Sequence, residues 1–266
     1  MKKVITVPKG ILHSKEGSKK FTLHRYKPSI EASAIVQHYW FVRWDLLEDT
    51  PYEQHVVSHP NINLVFEKDY ASIHGIKRTI SSHLLEGRGS VFGVKFLPGG
   101  FYPLWKKDIS QLTEKSIDFQ EVFHIDSKTI RDQLFQNHDV AELSIPLIDQ
   151  LICPNLPEPD EKVDLISQIV LFIREDRSII KVEDVANKFN LHVRTLQRLF
   201  DRYVGVSPKW VIKRYRLHEV VESIDKGSTK NWADLYTRLG YYDQAHFIKD
   251  FRLIVGKSPE KYFKES

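Results

Sequence analysis

The sequence predicts a two-domain α+β protein: a β-barrel or sandwich with accessory helices, followed by an all-α domain built from two similar helical units joined by a long helix. Three observations predict it. Short runs dense in β-branched and aromatic residues, punctuated by turn signals, fill the first hundred residues. Pro154, Pro157 and Pro159 then interrupt any helix or central strand. Beyond them apolar residues recur at helical spacing, and one pattern occurs twice.

The strand-rich runs are residues 34–44, 62–66 and 90–96, and Pro60-Asn61, His74-Gly75 and Pro98-Gly99-Gly100 mark turns between them. Several short strands so punctuated suggest a sandwich or barrel. After about residue 107 the pattern turns helical, and residues 125–138 and 140–153 are expected to pack beside the strands. The expected division is 1–153, a proline-rich linker 154–160, and 161–266.

Length and composition fit this plan. At 266 residues, 41% hydrophobic and 28% charged, the chain can bury two ordinary cores. Its one cysteine, Cys153, excludes an internal disulfide and a cysteine-based zinc site. In the apolar setting Leu151-Ile152-Cys153 it reads as a small buried hydrophobe. No run approaches the ~20 apolar residues that span a bilayer. The start, Met1-Lys2-Lys3, is basic but leads into no apolar run, so the expectation is a cytoplasmic protein without a signal peptide or membrane contact. Residues 161–266 hold 20 Lys+Arg against 15 Asp+Glu, a net +5, whereas the rest of the chain carries −1. That asymmetry permits nucleic-acid binding in the C-terminal part.

Val163, Ile166, Ile169, Val170 and Ile173 open this part with one apolar helical stripe. The duplication follows. Phe200, Gly205 and Ser207-Pro208 are repeated 51 positions later as Phe251, Gly256 and Ser258-Pro259. In the first unit Val182, Val185, Ala186 and Phe189 form the inner face of a short helix, and Asn190-Leu191-His192 makes a turn. Val193, Leu196, Leu199 and Phe200 are the inner face of a second helix. Two short helices across a tight turn are a helix-turn-helix. Its second helix leaves Arg194, Thr195, Gln197, Arg198 and Arg202 outward, and Arg and Gln are suited to guanine and adenine edges. In the second unit Trp232, Leu235 and Leu239 point inward, Gly240-Tyr241-Tyr242 turns, and Asp243 caps a helix with Phe247 and Phe251 inside. Gln244, His246 and Lys249 are left outside. Ser207 as N-cap and Pro208 at the first position start a connecting helix that ends near Asp225-Lys226-Gly227. About eighteen residues give a rod of roughly 27 Å, enough to present two helices to successive major grooves, ~34 Å apart.

These residues resemble the AraC/XylS DNA-binding domain. The first half is carried by residues 182–186, 194–200 and 205–208, and the second by 239–247, Phe251 and 256–262. The resemblance covers roughly residues 162–264. It implies base reading by Arg194, Gln197 and Arg198 in the first unit and by Gln244, Ala245, His246 and Lys249 in the second. Phosphate contacts fall on Arg202, Lys209 and Lys257. Two positions depart from the family pattern: His192 stands where a Ser cap is usual, and Tyr236 where a small Ala is usual. Residues 92–100 resemble a segment of the family's cupin-like effector domains, which implies a cupin-like barrel with an inducer pocket in its mouth. The implied function is a transcriptional regulator acting on a double-stranded promoter operator, with a small-molecule effector and RNA polymerase as partners and homodimerisation allowed.

Other constellations stand beside this one in the sequence. His38, His55, His59, His74 and His83 invite a metal reading, but no His-x-His with a following Glu is present, and they read as surface or pocket histidines with no metal and no cofactor. Of the aromatic cluster, Trp44 and Trp105 stand at the ends of their apolar runs and are the expected effector-pocket residues. No phosphate loop, nucleophile elbow or zinc-protease helix occurs, so no catalytic residue is expected. Two rival readings remain: a cupin-type metalloenzyme with a DNA-binding tail, and a regulator whose N-terminal domain only docks a partner protein.

Overall fold

The computed structural model describes residues 11–12, 14–47, 50–136, 141–156, 158–225, 236–237 and 239–265. A short helix α1 (Ser14–Lys20) leads into β1 (Phe21–Tyr26), β2 (Val36–Leu46), β3 (Tyr52–Val57), β4 (Asn63–Phe66), β5 (Ala71–His74), β6 (Ile80–Leu85) and β7 (Gly87–Phe96). A helical turn α2 (Tyr102–Trp105) precedes β8 (Ser116–Asp118), and α3 (Gln120–Phe123), α4 (Lys128–Gln136) and α5 (Ala141–Ile152) follow. The strands make an antiparallel six-stranded sheet in the order β1-β2-β7-β4-β5-β8 and a separate β3-β6 ribbon. Among the described residues no ladder joins β1 to β8, so backbone pairing does not close a barrel.

The alternation of β7 explains its central place. Phe92, Val94 and Phe96 are buried in the core, while Gly93 between them carries no side chain because Trp40 of β2 lies over it. A Cβ at Gly93 would stand 2.0 Å from the Trp40 indole. Phe66, Phe92 and Phe119 pack as tilted rings, and the Tyr39 hydroxyl donates to Asp149, tying β2 to α5. Cys153 is half-buried against this core, beside Ser29, and burial pushes its thiol pKa up.

The C-terminal region is helical: α6 (Glu161–Glu175), α7 (Val182–Lys188), α8 (Val193–Tyr203), α9 (Pro208–Asp225), α10 (Gln244–Val255) and α11 (Pro259–Glu265). Asp160 caps α6 by accepting from the Lys162 N–H, and all five stripe residues of α6 are buried. Pro157 of the expected linker lies outside the described residues, as do Trp232 and Leu235.

Three apolar clusters result. One belongs to the sheet and α2–α5. The second gathers α6–α8 and the first half of α9 and admits Ile76 from the β5–β6 connection. The third joins the second half of α9 to α10 and α11 and admits Leu12 and Val57. The sheet-rich and helical regions are therefore packed against each other. The Ser167 hydroxyl donates to the Pro98 carbonyl (3.0 Å) and the Thr113 hydroxyl to the Gly205 carbonyl (2.6 Å).

Candidate nucleic-acid interface

The first helical pair is assembled by local chemistry. Asp184 accepts from the Lys181 N–H (3.3 Å) at the start of α7. The turn is made by Asn190 in the left-handed region (φ 51°), a conformation Asn tolerates, and the Leu191 N–H returns to the Ala186 carbonyl (2.9 Å). His192 makes no side-chain cap on α8, as an imidazole in place of a hydroxyl predicts. Leu196, Phe200 and Tyr203 sink into the second cluster. That leaves Arg194, Gln197 and Arg198 exposed and Thr195 half-buried on the outer side.

α9 starts as expected, with the Ser207 hydroxyl accepting from the Trp210 N–H (3.2 Å) and Pro208 at its first position. Its 18 residues set the spacing of the two pairs.

The second pair repeats the pattern where it is described. Gly240 turns at φ 74°, and the Tyr241 N–H returns to the Tyr236 carbonyl (3.0 Å). Asp243 caps α10 by accepting from the His246 N–H (2.8 Å). Phe247 and Phe251 are buried, and Tyr236 fills space against the Phe247 ring at 6.4 Å between centroids. Gln244, Ala245, His246 and Lys249 are exposed on the other face. Lys209 is exposed at the start of α9, and Lys257 is half-buried before α11.

Arg202 has a different setting from its neighbours. Its Nε donates to the Tyr102 hydroxyl (2.6 Å), its guanidinium lies 4.9 Å from the Tyr102 ring centre, and Asp108 stands 3.9 Å away. A residue expected to touch phosphate is thus engaged by the N-terminal region. The outward residues of α8 form one wall of a groove of about 820 Å³, whose other walls include Arg78 and Asp108 of the N-terminal region. Arg78 gave no sequence signal, because a single Arg in a β-connection is ordinary.

Arg216 gave none either, yet it fixes the first pair in place. Only 2% exposed on α9, it donates to the carbonyls of Ile179 (3.0 Å), Asp176 (2.7 Å) and Ile173, and pairs with Glu219. These carbonyls end α6 and lead into α7. Burial pushes the Glu219 carboxyl upward, while Arg216 and Arg177 pull it down.

The two tryptophans expected in an effector pocket lie on different elements. Trp44, at the far end of β2, donates to the Glu86 carbonyl (3.0 Å), whereas Trp105, on α2, packs against the main core with Lys107 4.3 Å from its ring centre. No described contact joins them. Among the described residues no group of three His, Cys, Asp or Glu could hold a metal ion. No described helix is long and apolar enough to cross a membrane.

Among the described residues, α7 and α8 form a helix-turn-helix, and α8 and α10, both with basic, amide-bearing outer faces, lie on either side of the 18-residue α9. Residues 185–265 match the family described as "Helix-turn-helix domain", and residues 24–118 match a domain of unknown function, DUF6597. The C-terminal region thus carries a helix-turn-helix domain of the AraC type. Among curated proteins, the Msm operon regulatory protein of Streptococcus mutans serotype c is 25% identical over 136 residues. That alignment covers 50% of this chain, which spans about half (49%) of the relative's length. Among solved structures, the C-terminal domain of AraT, a response regulator from Geobacillus stearothermophilus, overlays with a TM-score of 0.34 at 22% identity, covering 37% of this chain and 83% of its own. ToxT from Vibrio cholerae O395 overlays with a TM-score of 0.39 at 11% identity, covering 92% of this chain and 98% of its own.

Proposed function

We propose that the protein is a sequence-specific, DNA-binding transcriptional regulator that responds to a small-molecule effector through its N-terminal domain. The observation that carries this reading is the pair of outward helix faces, Arg194-Gln197-Arg198 on α8 and Gln244-His246-Lys249 on α10, separated by the 18-residue α9. Arg reads guanine and Gln reads adenine in the major groove. Two such helices on one rod read two blocks about one helical turn apart. Thr195 and Ala245 border the bases, and Arg202, Lys209 and Lys257 serve the phosphates. The division into 1–153, the linker 154–160 and 161–266 lets the effector bias the arrangement of the two domains. The protein acts by binding rather than catalysis, in the cytoplasm, with RNA polymerase as its downstream partner and a homodimer as an allowed form.

The test is selection from randomised duplex DNA with the full-length chain, with and without a small-molecule library. Enrichment of two short blocks about ten base pairs apart is the expected result. A folded protein that enriches no sequence under any salt or ligand condition overturns the reading.

A further inference from the structure

The groove beside α8 has walls of different origin. One is α8 itself, from Arg194 to Arg202, and another carries Arg78 of the β5–β6 connection. Local contacts fix where that connection lies. Ile76, two residues before Arg78, is 1% exposed inside the apolar cluster of the first helix-turn-helix. The Gly75 N–H donates to the Lys115 carbonyl (3.0 Å), the Glu114 N–H to the Ile76 carbonyl (3.0 Å), and the Arg78 N–H to the Glu114 carboxylate (2.6 Å). A Cβ at Gly75 would stand 1.7 Å from the Leu112 carbonyl oxygen, so the two segments run this close only with glycine there. The second segment is tied in turn to the C-terminal region, because the Thr113 hydroxyl donates to the Gly205 carbonyl just beyond α8. The backbone of Arg78 is therefore held beside α8, while its side chain is exposed and has no hydrogen bond or ion pair among the described residues.

The groove is basic. Arg78, Lys162 at the start of α6, Arg194, Arg198 and Arg202 line it against the carboxylates of Asp108 and Asp201. A recognition helix seated in a major groove about 12 Å wide has a sugar-phosphate strand along each flank. Once α8 is so seated, a side chain that shares a groove with its reading face is placed to meet one of those strands. Phosphate contacts fix register without reading sequence. An exposed guanidinium on a fixed backbone suits that task, since its planar fork matches phosphate oxygens.

We propose that the N-terminal region itself touches DNA: Arg78 donates to a backbone phosphate of the strand that flanks α8, with Lys162 adding positive potential on that side. This rests on the regulator reading, in which α8 occupies a major groove, and extends the interface beyond the helix-turn-helix pairs. It also ties affinity to domain arrangement. Arg78 reaches the strand only while Ile76 and Thr113 keep the two regions docked, so docking and DNA binding favour each other.

The experiment is fluorescence anisotropy of the full-length chain on two fluorescein-labelled duplexes, one carrying the blocks that the wild type selects and one of mixed sequence, across a salt series. Arg78→Ala, Arg78→Lys and Lys77→Ala are compared with wild type. Arg78→Ala should lower the slope of log K against log salt by about 0.9 and weaken both duplexes about fivefold at about 0.15 M salt, the ratio that this slope gives relative to about 1 M. Its Tm should match wild type, because the side chain is exposed. Arg78→Lys should keep most of the slope. Lys77, equally exposed but not lining the groove, should leave the slope unchanged when replaced by Ala. The proposal is overturned if Arg78→Ala matches wild type in affinity and slope. Tighter binding by Arg78→Ala also overturns it and makes the connection a shield over α8, and an equal loss in Lys77→Ala overturns it in favour of diffuse surface charge. A wild type that binds both duplexes alike, with the Arg78 difference intact, sinks only the sequence-specific regulator reading. Selective binding without that difference sinks only this proposal, and a wild type that binds neither duplex sinks both.

Discussion

Arg216→Met tests whether one buried guanidinium sets the geometry of the first recognition unit. The substitution keeps most of the aliphatic volume and removes donors to three carbonyls and the ion pair with Glu219. Removing one partner of a buried pair costs about 3–5 kcal/mol, because the other charge and the carbonyls are left behind. The Glu219 side chain keeps 23% exposure and a distant contact to Arg177 at 3.9 Å, so the lower end, about 3 kcal/mol, is expected. The pH dependence has a definite sign. Burial already holds the Glu219 carboxyl above its ordinary value, and losing Arg216 raises it further. A raised carboxyl favours the folded state in its protonated form, and that stability is lost as pH rises through the folded pKa. The deficit of the variant is therefore largest at neutral pH and shrinks as pH falls toward and below the ordinary Glu value of about 4.3. Urea unfolding at pH 7.5 and 5, with Arg216→Met/Glu219→Gln as control, measures it. A cost below about 1 kcal/mol at pH 7.5, or a double variant no more stable than the single one, refutes the assignment.

Three further outcomes are expected. Asp243→Ala removes the carboxylate that accepts from the His246 N–H and should cost about 1 kcal/mol in urea unfolding, with Asp243→Ser recovering most of it. Gly205 sits at φ 93° with the Ile109 carbonyl oxygen 2.9 Å from where a Cβ would be, so Gly205→Ala should lower stability by about 1–3 kcal/mol and loosen the seam, read as faster proteolysis between residues 153 and 161. Tyr102→Phe deletes the hydroxyl that holds Arg202, and the freed guanidinium should then meet phosphate, steepening the dependence of log K on log salt by about 0.9; an unchanged slope means that Arg202 touches no phosphate.

What the sequence revealed followed the range of the interaction. α7, α8 and α10 were legible because their signals are local: the 3.6-residue spacing of Val185, Leu196 and Phe200, and the Asp243 cap, act within a turn or two. The starting residues of α9 were legible for the same reason. Three of its interior residues, Arg214, Arg216 and His218, were not, since in sequence they look like a solvated face and they are buried only because other elements cover them. β2, β4 and β7 were visible in their dense apolar runs. β1, β3 and β6 were not: Phe21–Tyr26 carries His and Arg, and Gln54, His55, Ser81, Ser82 and His83 break the apolar signal of the ribbon. Trp44 and Trp105 were grouped by residue type alone, and the chain sets them on separate elements. Arg78 reaches the groove beside α8 only through a long-range docking that no window of sequence encodes.

That docking bears on how a signal could reach DNA. The contacts across the seam are of two kinds. Apolar residues such as Ile76, Leu12 and Val57 enter the C-terminal clusters outright, and burying such side chains contributes roughly 1.5–3 kcal/mol each. Polar ties, Thr113 to Gly205, Ser167 to Pro98 and Arg214 to Ser58, are directional and break when the regions shift by little more than an ångström. Arg202, proposed above to contact phosphate, is held by Tyr102 across the same seam, so an arrangement that keeps Tyr102 close would withhold that proposed contact from α8.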